Sequence, residues 1–184
     1  LRATDSGRDR EFRKQALNSL ALVCGRAYEF RKEPVDIPEL TARLVEISTE
    51  SDTLSRHQAA FVLGTLTTEA ARQRLTELLD DSDQMTRINA AVGFARQKST
   101  QGIRVFERLF QEAADWKLDP SAVHGEEQAT QHFERVMLIT NAMTAVQNLA
   151  PQLDAAQKKK LLDQITPIGD HATDIAVQKQ WAAT

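Results

Sequence analysis

The chain has 184 residues, 41% hydrophobic and 27% charged, with 23 Lys and Arg against 26 Asp and Glu. This composition is typical of soluble globular domains and disfavours disordered, collagen-like and membrane-spanning chains. The net charge of −3 argues against a protein whose main work is holding nucleic acid, because phosphate binding needs clustered positive charge. The chain has only 7 Gly, 5 Pro and 5% aromatic residues, and this shortage of turn-forming and ring residues favours an all-helical chain.

The first predicted element lies within residues 8–35. The segment from Phe12 to Ala21 is a weak copy of a pattern that recurs later, so we interpret it as the second helix of a partial repeat. The only cysteine, Cys24, excludes an internal disulfide framework. It lies in an apolar run, which indicates a buried and unreactive thiol.

A self-match at a spacing of 31 residues dominates the next part of the chain. Residues 51–60 and 82–91 share Ser, Asp, Arg and a pair of Ala at the same places. The same spacing relates three apolar stripes: Ile37, Leu40, Leu44 and Ile47; Ala71, Leu75, Leu78 and Leu79; Ile103, Phe106, Leu109 and Phe110. Steps of three and four are typical of one helix face. A unit of two helices cannot bury both apolar faces alone, so the repeat predicts stacked helix pairs.

The second helix of each pair is predicted to begin after Asp52 or Asp83, each a suitable N-cap. In both helices an Arg and then two alanines follow the cap, and such small side chains let neighbouring helices approach closely. We expect Asp52, Arg56, Asp83 and Arg87 to form a structural ladder, in which each Arg reaches the Asp of the same or an adjacent turn.

The string from Asp52 to Gly64 resembles the start of the second helix in HEAT and HEAT-like repeats, in particular the short bacterial kind also found in phycobilin lyases. Residues 83–95 match it with two substitutions at the end. Ser55 and Thr86 depart from the family, which usually has an apolar residue there. The resemblance implies a right-handed α-solenoid of about four to five antiparallel helix pairs.

The period breaks after Phe110, and residues 113–131 are interpreted as an insertion. Pro167 and Gly169 predict a helix break. Later helices are predicted at Phe133–Leu149, Leu153–Ile165 and Ala172–Ala183. We predict one HEAT-like domain over 1–184, with a partial unit at 8–35, repeats at 36–66, 67–97 and 98–150, and a C-terminal helix pair at 151–184.

The chain shows no catalytic motif. None of its four His is followed by Glu, whereas the iron-binding HEAT-like hydroxylases carry repeated His-Glu dipeptides. His124 and His132 lie near glutamates but match no HExxH spacing, so we predict no metal site. Both Trp lie outside the clear repeats, which argues against a HEAT-like DNA glycosylase. We therefore predict no enzyme, no catalytic residue and no cofactor.

A partner-binding strip is expected on the concave face, where HEAT-like proteins usually bind peptides or helices. The strip comprises Gln58, Phe61, Val62, Thr65, Asn89, Val92 and Arg96. Phe61 and Val92 have an alternative interpretation as a second layer of the core.

The leading hypothesis is a non-enzymatic protein-protein interaction scaffold that docks another protein or another domain of its parent chain. The alternative is a lyase-like or tetrapyrrole-binding accessory protein that uses the insertion near Trp116. A closed cavity joining Trp116, His124 and His132 would support that alternative.

The sequence shows no signal-peptide pattern and no apolar run of about 18 residues, so no membrane insertion is expected in this segment. This slightly favours a cytoplasmic location, although an upstream targeting segment would lie outside the sequence. The chain opens on Leu1, and neither Phe12 nor Trp181 looks like a solenoid cap. We expect the parent chain to continue or the ends to pack on another surface.

Overall fold

The computed structural model describes residues 2–4, 7–31 and 37–184. In this part of the chain all regular structure is helical and there is no strand, which confirms the predicted all-α class. The helices are α1 (Arg10–Arg31), α2 (Pro38–Ile47), α3 (Thr53–Leu63), α4 (Glu69–Leu78), α5 (Gln84–Arg96), α6 (Ile103–Ala113), α7 (Glu126–Leu149), α8 (Ala155–His171) and α9 (Ile175–Ala183). Short 3-10 turns lie at Arg2–Thr4, Thr100–Gly102, Pro120–Ala122 and Ala150–Gln152.

The chain divides into two compact units, Leu1–Gln97 and Lys98–Thr184. The boundary falls between the repeats predicted at 67–97 and 98–150. The single domain predicted over 1–184 stays a prediction.

The first unit is built from stacked helix pairs. Helix α2 packs against α3, and α4 packs against α5. Between pairs, α3 contacts both α1 and α5, while α2 contacts α4. The helices α1, α3 and α5 therefore form one row, the second-helix row, and α2 and α4 form a layer beside it. This is the arrangement that the 31-residue self-match predicts.

The core of the first unit lies between these two layers. The first two predicted stripes supply much of it: Leu40, Leu44, Ile47, Ala71, Leu75 and Leu78 are buried, whereas Ile37 is exposed and Leu79 is half-buried. Helices α3 and α5 add Leu63 and Phe94, which are fully buried. Since each fully buried Leu or Phe contributes about 1.5–3 kcal/mol relative to an exposed one, this shared core holds the pairs together.

Two glycines mark the closest approach of α3 and α5. A Cβ built on Gly93 would lie 2.7 Å from the Cα of Gly64, and a Cβ on Gly64 would lie equally close to Gly93. No side chain fits between the two backbones at this point. The helices can therefore pack at this distance only because both positions lack a side chain.

The second unit has its own core. Helix α6 packs against α7 and α8, and α9 packs against the same two helices. Its buried apolar residues include Phe106, Leu109, Phe110, Ile139, Leu149, Leu161, Ile165 and Val177. Three of these belong to the third predicted stripe, whose first residue, Ile103, is half-buried.

The predicted helix break at Pro167 and Gly169 is wrong. Helix α8 continues through Pro167 and ends at His171. A proline inside a helix removes one backbone hydrogen bond. Ile165, Ile168 and Gly169 are nevertheless buried around it, and the Trp181 ring lies against Gly169. Packing of this segment offsets the lost bond, so the helix persists.

Candidate functional site

The two helices that carry the predicted strip begin with the same cap. The Asp52 carboxylate accepts hydrogen bonds from the Ser55 backbone N–H at 2.9 Å and from its hydroxyl at 2.7 Å. Asp83 accepts the equivalent pair from Thr86 at 2.8 and 2.7 Å. The departures from the family string, Ser55 and Thr86, thus supply a second donor to each N-cap carboxylate. These caps fix where α3 and α5 start.

Ion pairs between successive repeats tie the row together. Arg56 donates from Nε and Nη2 to the two carboxylate oxygens of Asp81, at 3.1 and 3.2 Å. One repeat earlier, Arg13 of α1 donates from Nη2 to both carboxylate oxygens of Glu50, at 2.6 Å each. In both pairs an Arg near the start of a second helix reaches the acid that precedes the next second helix.

Each repeat arginine also holds its own loop. Arg56 Nη1 donates to the backbone carbonyls of Glu50 and Ser51 at 3.1 and 2.9 Å. Arg87 Nη1 does the same to Asp81 and Ser82 at 2.7 and 2.9 Å. The predicted ladder thus has its ion-pair acids at Glu50 and Asp81, while Asp52 and Asp83 act as caps. Glu50 and Asp81 lie 31 residues apart, so the spacing of the self-match already relates these two acids in the sequence.

Four of the predicted strip residues are half-buried at the surface of the second-helix row, namely Gln58, Phe61, Val92 and Arg96. We call these four, which the sequence predicts to contact a partner, the binding strip. The Arg96 guanidinium lies over the Phe61 ring, 4.4 Å from its centroid, so α5 contacts α3 across the strip. Gln58 donates from Nε2 to the side chain of Asn18 on α1 at 2.9 Å.

The other three predicted strip residues lie inside the unit. Val62 and Thr65 are buried, and the Thr65 hydroxyl donates to the Val62 carbonyl at 2.7 Å. Asn89 is 8% exposed and donates from Nδ2 to the His57 carbonyl at 2.8 Å. Their expected outward orientation is therefore wrong, because these positions lie where neighbouring elements of the row meet rather than where the row meets solvent.

The charges on α3 and α5 all have one sign. Neither helix contains an Asp or a Glu, whereas together they carry Arg56, Arg87 and Arg96. The adjacent layer carries both signs of charge. Its charged residues are Glu39, Arg43 and Glu46 on α2 and Glu69, Arg72, Arg74 and Glu77 on α4. The side chains of α3 and α5 around the binding strip are thus apolar, polar or basic.

In the second unit, aromatic and ionisable side chains meet beside α7. The Arg135 guanidinium lies 5.1 Å from the centre of the Trp116 ring. One turn earlier on α7, His132 Nε2 lies 2.9 Å from an Asp174 carboxylate oxygen. The backbone N–H groups of Thr173 and Asp174 donate to the Leu118 carbonyl, which ties the loop after α6 to the start of α9.

The carboxylates in this cluster favour their charged form. Burial raises the pKa of Asp174, but hydrogen bonds from His132 and from the Ala176 and Val177 backbone, with the His132 charge, outweigh it and hold the pKa below its usual value. For Asp119, hydrogen bonds from the Ser121 hydroxyl and backbone lower the pKa. His124 is exposed, and its backbone N–H donates to the Gln128 side-chain oxygen at 2.8 Å.

The pair of His132 and Asp174 predicts a dependence of stability on pH. Because the folded pKa of Asp174 lies below the unfolded value, its charge adds stability above the ordinary carboxyl pKa, and this is lost as the pH falls through the folded value. Asp174→Asn keeps the N-cap of α9 but removes the charge.

We expect the wild type to be more stable than Asp174→Asn near neutral pH, and this advantage to be lost as the pH falls from neutral to below the ordinary carboxyl pKa of about 3.9. Thermal unfolding of both proteins over this range measures the difference. A difference that stays constant with pH would contradict the pairing.

Part of the chain matches the sequence model of a known family. A sequence model described as HEAT repeats matches residues 37–124. Residues 37–124 belong to the HEAT repeat family. The match covers α2 to α6 and continues to the loop before α7, and it confirms the resemblance seen at residues 52–64. No curated protein matches the chain.

HEAT repeats generally act as protein-interaction scaffolds and are usually non-catalytic. The caps Asp52 and Asp83 and the pair of Arg56 with Asp81 lie within the matched repeats. Among the described residues, no three His, Cys, Asp or Glu side chains form a group that could hold a metal ion. Of the described helices, none combines the length and the apolar character needed to cross a bilayer.

Proposed function

We propose that this chain is a non-enzymatic interaction scaffold whose HEAT repeats bind a protein partner through the binding strip. The observation that carries the proposal is the contact of Phe61 with Arg96, which joins α3 and α5 in a half-buried patch. Aromatic and Arg side chains are the residues most enriched at energetic centres of protein interfaces. Both lie on helices held in place by capped ends and by the pair of Arg56 with Asp81.

The charge of α3 and α5 indicates the chemistry of the partner. Because α3 and α5 carry basic but no acidic side chains, we propose that the partner segment is acidic around an apolar anchor. The anchor would contact Phe61 and Val92, and its acidic groups would lie near Arg96. An extended or helical segment of another protein, or of another domain of the parent chain, fits this description.

The test compares partners captured by the wild type and by the double variant Phe61→Ala, Arg96→Ala. Partners bound through the strip are expected to fall at least about 10-fold, as loss of an interface centre costs about 2 kcal/mol or more. Arg72→Ala is the matched control, because it removes an exposed Arg from α4, outside the strip. Circular dichroism checks that each variant folds. Unchanged partners in the double variant would remove the strip from the proposal.

The cofactor-binding alternative finds less support around Trp116. Its ring is stacked with Arg135, and His132 is paired with Asp174, so both side chains are engaged within the protein. His124 lies exposed on the loop before α7. Metal analysis and a visible spectrum of the purified protein distinguish the two functions. Bound transition metal or visible absorbance would favour the accessory protein over the scaffold.

A further inference from the structure

Helix α1 is apolar on two faces. Its inner face buries Leu17 and Cys24 against the rest of the first unit. Its outer face exposes Phe12 by 52%, Leu22 by 63%, Val23 by 66% and Phe30 by 84%. Four large apolar side chains exposed on one helix are uncommon on a surface that stays in water, and such faces mark contact sites.

The equivalent positions on α3 and α5 contact the preceding helix of the row. When the helices are aligned on Arg13, Arg56 and Arg87, Gln15 of α1 corresponds to Gln58 of α3 and to Asn89 of α5. The Gln58 side chain donates a hydrogen bond to Asn18 of the preceding helix α1, and the Asn89 side chain donates one to the His57 carbonyl of the preceding helix α3. On α1, Gln15 is exposed.

The next equivalent position gives the same result. Ser19 of α1 corresponds to Val62 of α3 and to Gly93 of α5, and the last two are fully buried. Gly93 meets Gly64 of the preceding helix. Ser19 is exposed. The outer face of α1 is thus a helix-packing face by its place in the row.

The sequence of this face is complementary to itself. Its central seam advances by alternating steps of four and three residues, the spacing of helices that pack side by side. The seam consists of Phe12, Ala16, Ser19, Val23, Arg26 and Phe30. All of these are exposed except Ala16, which is half-buried.

An antiparallel second copy, related by a two-fold axis at Ala21, pairs large residues with small ones on either side of the axis. Arg26 then lies opposite the second copy's Ala16, and Val23 lies opposite the second copy's Ser19. Phe12 meets the second copy's Phe30 at each end. A parallel copy would instead place two Arg26 side chains together, which like-charge repulsion disfavours. The face therefore suits a second α1 in the antiparallel direction.

We propose that two copies of this chain associate through the outer faces of their α1 helices, in an antiparallel contact that is the same on both sides. Such a contact closes on itself and yields a dimer rather than a filament. The seam is about 27 Å long at 1.5 Å per residue. A single helix pair is a small interface, so the dimer is expected to dissociate at micromolar concentrations. The binding strip takes no part in this contact.

Sedimentation of the full chain from about 1 to about 200 µM tests the association. We expect the wild type to pass from monomer to dimer over this range. Val23→Glu places two carboxylates near the two-fold axis and is expected to raise the dimer dissociation constant at least about 10-fold. Leu162→Glu is the matched control, because Leu162 is 50% exposed on α8. It is expected to dimerise like the wild type.

Cross-linking tests the antiparallel arrangement. A mixture of S19C and V23C copies is expected to form a disulfide-linked dimer under mild oxidation. In a mixture of F12C and V23C copies, the two new cysteines would lie about 10 Å apart along the helix direction. This mixture is expected to cross-link much less. The native Cys24 is buried, and burial raises the pKa of its thiol, so it should not interfere.

A chain that stays monomeric up to about 200 µM would overturn the proposal. A dimer that Val23→Glu leaves unchanged would overturn it as well, since the contact would then lie elsewhere. Cross-links of equal yield in the two mixtures would contradict the antiparallel arrangement. None of these outcomes bears on partner binding by Phe61 and Arg96.

Discussion

Replacement of Gly93 by Ala is expected to lower the free energy of unfolding by about 1–3 kcal/mol. The new Cβ would lie 2.7 Å from the Cα of Gly64 and 3.3 Å from a Leu75 methyl. Leu75 can shift slightly, but the Gly64 contact is with backbone, so α3 and α5 would have to move apart. Ala stabilises a helix by about 1 kcal/mol relative to Gly. We expect the loss of packing to exceed this gain.

Gly25→Ala is the matched control for Gly93→Ala. Gly25 lies inside α1, and a Cβ there would meet nothing within 4 Å. This variant is expected to be as stable as the wild type, or more stable by about 0.5–1 kcal/mol. Urea denaturation followed by circular dichroism measures both changes. A Gly93→Ala protein at least as stable as Gly25→Ala would show that the two helices do not depend on this close approach.

Arg56→Ala is expected to destabilise the protein by about 2–4 kcal/mol. The Arg56 and Asp81 side chains are each only 12% exposed, and Arg56 bonds both oxygens of that carboxylate. Its loss would leave the Asp81 charge and the Glu50 and Ser51 carbonyls without this donor. Arg56→Lys is expected to retain only part of the stability, because an ammonium lacks the planar fork that binds both oxygens.

A double-mutant cycle separates this ion pair from the other bonds of Arg56. We expect Arg56→Ala and Asp81→Ala to couple by about 1–3 kcal/mol, because the two side chains contact each other directly. Arg72→Ala, which removes an exposed Arg of α4, is expected to change the stability by less than about 0.5 kcal/mol. Strictly additive effects of the Arg56 and Asp81 variants would mean that the pair does not link the repeats.

Local patterns in the sequence predicted the helices well. Apolar steps of three and four gave α2, α4 and α6, and the Asp residues before α3 and α5 cap those helices. These features depend on residues within one or two turns of each other. For the same reason Pro167 misled the prediction, because the packing that keeps α8 intact comes partly from Trp181 on another helix.

Contacts between repeats were harder to predict. Arg56 finds its carboxylate partner 25 residues away at Asp81, in a loop whose position depends on how the pairs stack. The residues of the strip were difficult to predict for the same reason. A second helix has one face on the first-helix layer and others on its neighbours in the row, and apolar spacing alone does not separate these. Val62 and Thr65 were therefore expected at the surface although they are buried.

The contacts of the first unit suit the proposed role of the strip on α3 and α5. The glycine contact and the pair of Arg56 with Asp81 fix the two helices relative to each other. Arg96 then holds its position over Phe61 without the help of a partner. A surface ordered before binding loses less conformational entropy when the partner arrives, which favours affinity.

The most direct test of the binding strip is the dissociation constant of a captured partner, measured at about 50 and about 300 mM salt. We predict that Phe61→Ala, Arg96→Ala weakens binding at least about 10-fold, that Arg72→Ala leaves it unchanged, and that salt weakens binding to the wild type. Equal affinity of all three proteins, or wild-type binding that salt leaves unchanged, would contradict an acidic partner bound at Phe61 and Arg96.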